Sequence, residues 1–235
     1  MTTTMISPLA YIDPAAKIGQ NVKIHPFAYI DKNVEIGDGC EIMSNASILS
    51  GARLGKNNRV FQGAVIAAEP QDFDYTGEES LCIVGDHNFI MTGARLSHDV
   101  KVGNHCIIGN GSQVSGNCQI EDCAILTSNV LMQGGTRLGT YSAVQGGCRF
   151  TKDIPPYIVA AHDPIEFYSI NTIVLQRAHF SETLVKHIAQ AYRILYKANT
   201  SQHDALLRIR EQIPGGPEIE HIVRFVESSR LGIIH

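Results

Sequence analysis

The sequence lacks three features that would point to a nucleic-acid-binding, membrane-spanning or secreted protein. Its 235 residues carry a formal net charge of −4, so no basic excess favours nucleic acid or an anionic membrane surface as a general partner. No stretch has the roughly 18 apolar residues that a membrane-spanning helix needs. The first residues contain no charged segment followed by an apolar one. We therefore expect a cytoplasmic protein with no nucleic-acid partner and no membrane span.

The sequence also lacks any pair of cysteines separated by two residues, the spacing typical of zinc sites. Its six cysteines are widely spaced, and cysteine is among the residues most often buried in protein cores. We therefore expect free buried thiols, rather than disulfides or a metal site, at Cys40, Cys82, Cys106, Cys118, Cys123 and Cys148.

A repeat of six residues dominates the first two thirds of the chain. Large apolar residues, nearly all aliphatic, stand at every multiple of six from residue 6 to residue 66 and again from residue 84 to residue 150. A residue that is usually small stands four positions after each of them, and four of the six cysteines fall in this column. This position favours a packing role for those cysteines.

An aliphatic residue followed by Gly, Asp or Asn and then by a small residue describes a short strand and a tight turn. Three such strands form one triangular coil, and stacked coils bury the aliphatic column that a single coil leaves exposed. The period therefore predicts an all-β parallel β-helix over residues 1–154, with a loop insertion at 67–83 where the series pauses. The period itself does not reveal the hand of the coil, although crossovers between parallel strands are right-handed in nearly all proteins.

The repeat ends at Pro155 and Pro156, which would break a continuing ladder of backbone hydrogen bonds. Apolar residues with helical spacing follow, and Ser201 with Asp204 forms a helix start signal. The pattern predicts an α-helical C-terminal domain over residues 155–235, with helices at 171–177, 182–197, 204–212 and 217–228.

His98 is the residue of the repeat that best suits proton transfer. Its place in the hexad turns the side chain outward from the coil, and Asp99 follows it directly. Histidine changes charge near neutral pH, and an adjacent carboxylate can orient the ring and stabilise its charged form. An ordinary surface histidine is the alternative interpretation of the pattern. Because the repeat region has four histidines and no H-x-x-x-x-H pair, we expect no catalytic metal and no cofactor.

Several motifs distributed over nearly the whole chain carry a family resemblance. Besides the hexads they are Pro70-Gln71-Asp72, Ser97-His98-Asp99, Gln145-Gly146-Gly147, Asp153-Ile154-Pro155-Pro156-Tyr157 and Ser229-Arg230-Leu231-Gly232-Ile233. Together they resemble the UDP-N-acetylglucosamine O-acyltransferase family, in a form similar to that of Bacteroidetes. The resemblance implies a left-handed β-helix assembled as a homotrimer. It also implies the first step of lipid A synthesis, in which a 3-hydroxyacyl group moves from acyl carrier protein to the 3-hydroxyl of UDP-N-acetylglucosamine.

The resemblance also implies roles for individual residues. The family motif that carries the catalytic base matches Ser97-His98-Asp99, and Gly116 matches the glycine whose backbone N–H stabilises the oxyanion. His98, with Asp99 beside it, would deprotonate the sugar hydroxyl without a covalent acyl-enzyme. Contacts to the sugar nucleotide or to the end of the acyl groove are implied for Gln71, Asp72, Gln133, Gln145, Gly146, Asn171 and Arg177.

The chain departs from the family pattern in the segment just before the motif that contains His98. Family members continue through more than one further coil between the Gly-Asp-x-Asn hexad and the catalytic histidine, and this chain lacks that segment. Arg95 and Asn117 stand where histidines are usual. An alternative function is therefore a non-catalytic or altered-specificity paralogue that binds a sugar nucleotide or acyl carrier protein. A carbonic anhydrase of the gamma type is disfavoured by the small number of histidines.

Overall fold

A computed structural model describes residues 4–70, 75–197 and 200–235 of the chain. Its strands form three sheets, one on each face of a triangular coil. The first sheet contains β1 Met5–Ile6, β4 Lys23–Ile24, β7 Glu41–Ile42, β10 Arg59–Val60, β13 Phe89–Ile90, β16 Ile107–Ile108, β19 Ile125–Leu126, β22 Ala143–Val144, β24 Ile158–Ala161 and β25 Glu166–Ile170. The second contains β2 Tyr11–Ile12, β5 Tyr29–Ile30, β8 Ser47–Ile48, β11 Val65–Ala68, β14 Arg95–Ser97, β17 Gln113–Val114, β20 Leu131–Met132 and β23 Arg149–Phe150. The third contains β3 Lys17–Ile18, β6 Glu35–Ile36, β9 Ala52–Leu54, β12 Cys82–Val84, β15 Lys101–Val102, β18 Gln119–Ile120 and β21 Arg137–Leu138.

Strands pair in parallel with the equivalent strand of the next coil, as when Ile30 pairs with Ile48 and Leu96 with Val114. Six residues therefore advance the chain by one face, and 18 residues advance it by one coil. The predicted parallel β-helix of hexad repeats is confirmed. After residue 154, β24 and β25 extend the first sheet, and β25 runs antiparallel to β24.

The aliphatic residues of the hexads fill the interior of the coil. From Ile24 to Phe150, each residue at a multiple of six within the two series is at most 4% exposed. Ile6 in the first coil is 48% exposed, because no further coil of the described chain stacks on it. Burial therefore depends on stacking between coils, as the repeat predicts.

The turns between faces share one backbone conformation. The residue three positions after each aliphatic residue has a positive φ throughout the coils from Asn21 to Gly147, except within the loop insertion. Glycine and asparagine tolerate this conformation best and fill most of these positions. Asp99, with a φ of 53°, occupies one of them.

The loop insertion leaves the coil through a β-bulge. Ala67 has a φ of 62°, and the register between β11 and β14 shifts between Ile66 and Ala68. The aliphatic residues Ile66 and Val84 lie 18 positions apart instead of six, yet β12 still pairs with β9. Because the insertion has a length of whole hexads, the repeat resumes with its phase unchanged.

In the part of the chain that the structure describes, four helices follow the strands, at α1 Thr172–Arg177, α2 Glu182–Lys197, α3 Gln202–Gln212 and α4 Pro217–Glu227. Their bounds agree with the predicted helices to within two residues. The start signal of α3 is confirmed, since Asp204 N donates to Ser201 Oγ at 3.0 Å. Among the helices of the described residues, none is both long enough and apolar enough to cross a bilayer.

A buried ion pair attaches the C-terminal segment to the β-helix. Asp153 is 2% exposed and accepts hydrogen bonds from Arg137 Nε and from Ser229 Oγ, both at 2.8 Å. The backbone N–H of Asp153 donates to Gly232 O at 2.9 Å. The Arg137 guanidinium also lies 4.2 Å from the ring centre of Phe225 in α4. We call this set of contacts the Asp153 clasp.

The cysteines give a direct test of this core. All six are free, and all except Cys123 are buried. Burial raises the pKa of the Cys82 and Cys106 thiols to about 12, so both stay protonated and unreactive near neutral pH. We expect a thiol reagent to modify Cys123 first in the native protein and the remaining cysteines only after denaturation, and mass spectrometry of the labelled protein would measure this. Replacing Cys123 with serine should remove the early labelling, and rapid labelling of several cysteines in the native protein would contradict the buried core.

Candidate active site

His98 lies in the turn that follows β14, at the corner between the second and third sheets. Its side chain is 18% exposed, and Nδ1 lies 3.0 Å from Asp99 Oδ2. A carboxylate only accepts hydrogen bonds, so in the neutral imidazole the proton lies on Nδ1 and Nε2 keeps a free lone pair. The pair therefore has the arrangement of a general base with its orienting carboxylate.

Asp99 is itself held in place from two directions. The positive φ of the turn directs its side chain, and Leu81 N, at the end of the loop insertion, donates to Asp99 Oδ1 at 3.2 Å. One carboxylate oxygen thus contacts His98 and the other contacts the loop. The sequence pattern gave no indication of the Leu81 contact, because a backbone N–H contributes no side-chain signal.

Gly116 lies one coil beyond His98, directly beneath its ring. A β-carbon built at position 116 would overlap Nε2 and Cε1 of the imidazole. Glycine is therefore required here if His98 keeps its place. The close approach brings the free ring nitrogen next to the backbone at Gly116.

The N–H of Gly116 lies at a hexad position whose N–H groups do not donate to the backbone hydrogen bonds between neighbouring coils. Proline, which has no N–H, fills the same position at Pro8, Pro14 and Pro26. In some other coils the N–H at this position donates to a side-chain oxygen, as from Lys56 N to Asp86 Oδ1. Within the described residues, Gly116 N has no hydrogen-bond acceptor. This N–H is available to a ligand oxygen.

An open groove of about 610 Å³ follows this corner across three coils. Glycine and small polar side chains make up most of its lining. Gln133 lies in this groove together with His98 and Gly116. The residues that line the groove are Ser97, His98, Ser115, Gly116, Asn117, Gln133, Gly134 and Gly135.

The other predicted substrate residues lie at different corners. Gln145 and Gly146 follow β22, between the first and second sheets, where Gln145 Oε1 lies 3.4 Å from His162 N. Asn171 is buried at the start of α1 and donates from Nδ2 to Tyr141 O at 2.8 Å, at the corner between the third and first sheets. A single chain does not bring these residues to the groove of His98.

The remaining predicted site residues are Arg177, Gln71 and Asp72. Arg177 is exposed in the last turn of α1. Gln71 and Asp72 lie outside the described residues. In the ranges that the structure covers, no cluster of three or more His, Cys, Asp and Glu side chains is arranged to hold a metal ion.

A base paired with a carboxylate, next to an unused backbone donor, is what acyl transfer requires, since one group removes a proton and the other stabilises an oxyanion. The fold and the groove therefore define a hexapeptide-repeat acyltransferase. Residues 15–48 and 81–116 match the family model of bacterial transferase hexapeptide repeats. Residues 153–234 match the model described as UDP N-acetylglucosamine O-acyltransferase, domain 2.

Two curated relatives match the chain over nearly its full length, and both are named acyl-(acyl-carrier-protein)–UDP-N-acetylglucosamine O-acyltransferase. The protein of Myxococcus xanthus is 35% identical, with 97% of this chain and 98% of the relative covered. That of Burkholderia lata is 37% identical, with coverage of 98% and 99%. The chain belongs to the UDP-N-acetylglucosamine O-acyltransferase family.

A solved structure supports the same assignment. The UDP-N-acetylglucosamine acyltransferase of Bacteroides fragilis is 45% identical, with 98% of this chain and all of that chain covered, and superposes with a TM-score of 0.87. A coil of opposite hand would not superpose in this way, so the chain shares the left-handed β-helix of its family.

The relatives also differ from this chain in length. The match to the Myxococcus xanthus protein extends over 253 positions, more than the 235 residues of this chain, so the alignment contains gaps on the side of this chain.

Replacing Gly116 with alanine tests the contact between the ring and the backbone. The new methyl group should displace the His98 ring and break its hydrogen bond to Asp99, while the melting temperature changes little. Nitrogen-15 NMR of the histidine rings would detect the change at His98. Gly215→Ala is the control, because a β-carbon there meets nothing within 4 Å. Identical His98 signals in wild type and Gly116→Ala would show that the ring does not lie on Gly116.

Proposed function

We propose that this protein transfers a 3-hydroxyacyl group from acyl carrier protein to the 3-hydroxyl of UDP-N-acetylglucosamine, the first step of lipid A synthesis. The observation that carries the proposal is the His98–Asp99 pair beside the unused backbone N–H of Gly116. Membership of the acyltransferase family supports the choice of substrates.

His98 acts as the general base. Its Nε2 takes the proton of the sugar 3-hydroxyl as the oxygen attacks the thioester carbonyl carbon. The imidazolium that forms is stabilised by Asp99, 3.0 Å from Nδ1. Because Asp99 also fixes the proton on Nδ1, Nε2 of the neutral ring is free to accept a proton before substrate binds.

Gly116 stabilises the tetrahedral intermediate. Its N–H donates to the oxyanion, and one such donor contributes roughly 3 kcal/mol to the transition state of acyl transfer. Collapse of the intermediate breaks the carbon–sulfur bond, and the thiolate of the carrier takes up the proton that His98 holds. The acyl group passes directly from sulfur to oxygen, so neither a nucleophilic side chain nor a cofactor is needed.

A homotrimer is the proposed assembly. In one chain His98, Gln145 and Asn171 lie at three different corners, so these residues can share a site only when corners of separate copies meet. The outward face of the first sheet also carries Phe89 and Ile107 side by side, each more than a third exposed. A face-to-face contact between subunits would cover them.

The cytoplasm is the proposed location. All six cysteines are free, which is typical of a reducing compartment.

Substitution of His98 tests the catalytic assignment. We expect His98→Ala to lower kcat/KM by about 10²- to 10⁴-fold, the contribution of a general base, and Asp99→Asn to lower it by less. Product formation would be followed by mass spectrometry with UDP-N-acetylglucosamine and hydroxyacyl carrier protein. His105→Ala is the matched control, because His105 is an exposed histidine of another corner. Equal turnover above background in wild type and His98→Ala would contradict the assignment of His98 as the base. Turnover at the background level in both would favour a non-catalytic binding protein, and calorimetry would then test whether the protein binds the sugar nucleotide.

Mixed trimers test the shared site. His98→Ala and Gln145→Ala should each reduce activity, and their assembly together should restore it, because some sites then combine an intact His98 with an intact Gln145 from the neighbouring copy. Random mixing predicts about a quarter of the wild-type activity. Trimers in which both substitutions lie in the same chain provide the control, mixed with wild type at the same ratio. If the mixture is no more active than the average of the two variants, each site belongs to one chain.

A further inference from the structure

The return arm of the loop insertion, residues 80–82, lies one coil before Asp99 at the same corner. Leu81 precedes Asp99 by 18 residues, the length of one coil, and follows Gly51 by 30. Cys82 N donates to Gly51 O at 3.0 Å on one side of the arm. On the other side, Leu81 N donates to Asp99 Oδ1 at 3.2 Å. The arm therefore takes the place of one level of the coil at this corner, and the proposed mechanism gives it no role.

Leu81 departs from the backbone pattern of this corner. In three other coils the residue at this place has a positive φ, and its N–H donates to a carbonyl of the preceding coil. These bonds are Gly51 N to Asn33 O, Asn117 N to His98 O and Gly135 N to Gly116 O, each at 3.1 Å. Leu81 does not have a positive φ, and its N–H donates instead to a side chain of the following coil. The irregular backbone of the loop insertion thus supplies Asp99 with a donor that a regular coil directs elsewhere.

Gly51 leaves room for the return arm. Its φ is 90°, and a β-carbon built at this position would overlap Ser80 O. A larger residue would therefore push the arm away from the coil, together with Leu81 N. Gly63 is the contrasting case at the equivalent place of another corner. It has a φ of 67°, and a β-carbon there meets nothing within 4 Å.

The hydrogen bond from Leu81 bears on the orientation of the His98 ring. Asp99 Oδ2 lies 3.0 Å from His98 Nδ1, so the position of Oδ1 limits that of Oδ2. The Asp99 side chain is 44% exposed, which leaves it little restraint from packing. Hydrogen bonds to ionised groups are stronger than those between neutral groups. A carboxylate fixed in this way also fixes which ring nitrogen of His98 carries the proton.

We infer that the return arm is a positioning element for the catalytic base. Leu81 is the positioning residue that holds Asp99 through its backbone N–H, and Gly51 is the positioning residue that places the arm. The inference rests on the proposed function, since it takes His98 as the base. The loop insertion then orients the base before substrate binds.

Variants of Gly51 and Leu81 test the inference through a signature that needs no turnover. Nitrogen-15 NMR of the neutral ring measures how much of the His98 proton lies on Nδ1. Gly51→Ala displaces the arm and Leu81→Pro removes the N–H, so each should move this proton partly to Nε2. Gly63→Ala is the matched control for backbone strain at a positive φ, and Leu81→Ala is the control that keeps the N–H. Both controls should keep the wild-type signals.

A double variant shows whether the arm acts through Asp99. Gly51→Ala should lower kcat by about tenfold, the effect of losing one hydrogen bond to a charged group. In an Asp99→Ala background the same substitution should cause no further loss, because the group that the arm holds is gone. Product formation with UDP-N-acetylglucosamine and hydroxyacyl carrier protein gives these rates.

The outcomes separate this inference from the proposed function. A proton shift in Gly51→Ala and Leu81→Pro alone supports the positioning of His98 by the arm, whether or not the wild-type protein turns over. Unchanged His98 signals in both variants, or equal changes in the controls, overturn it. Losses that multiply in the double variant also overturn it. If melting curves show that Leu81→Pro does not fold, Gly51→Ala decides the test. Turnover of wild-type protein, measured in parallel, tests the proposed function by itself.

Discussion

The aliphatic side chains that recur every six residues must stack on the equivalent side chains of the next coil, because one coil leaves its interior open. Ile6, with nothing stacked on it among the described residues, remains half exposed, whereas Ile24 and its successors are buried. Within the coil this stacking requires whole hexads, whereas the loop between Ile66 and Val84 leaves the coil and the chain then returns to pair β12 with β9. The stacking also places outward residues in columns, so that positions 98, 116 and 134 follow one another along a single corner.

The candidate site is built from residues that lie above one another in this column. Neighbouring coils are roughly 4.8 Å apart, a distance that lets a side chain of one coil lie over the backbone of the next. His98 lies over Gly116 in this way, and the hexad position of Gly116 leaves its N–H outside the ladder. In the proposed mechanism, neighbouring coils therefore supply the proton acceptor and the hydrogen-bond donor to the oxyanion without distortion of the coil.

The repeat, the strands, the helices and the outward direction of His98 could be predicted because each depends on local pattern. The role proposed for Gly116 came from family resemblance, since no pattern reveals that an imidazole lies over a glycine. Asn171 shows a different limit: a polar residue predicted to contact substrate is buried and bonded to Tyr141 O. Leu81 N contacts Asp99 Oδ1 from a distant part of the chain, and spacing in the sequence does not encode such a contact.

A crystal structure with UDP-N-acetylglucosamine and a non-reactive acyl carrier protein thioether tests the central claim most directly. The account predicts that the sugar 3-hydroxyl lies within about 3 Å of His98 Nε2, the reach of a general base. It also predicts that the carbonyl position of the donor faces Gly116 N–H. A sugar bound at another corner, or a hydroxyl beyond reach of His98 in the complete complex, would contradict it.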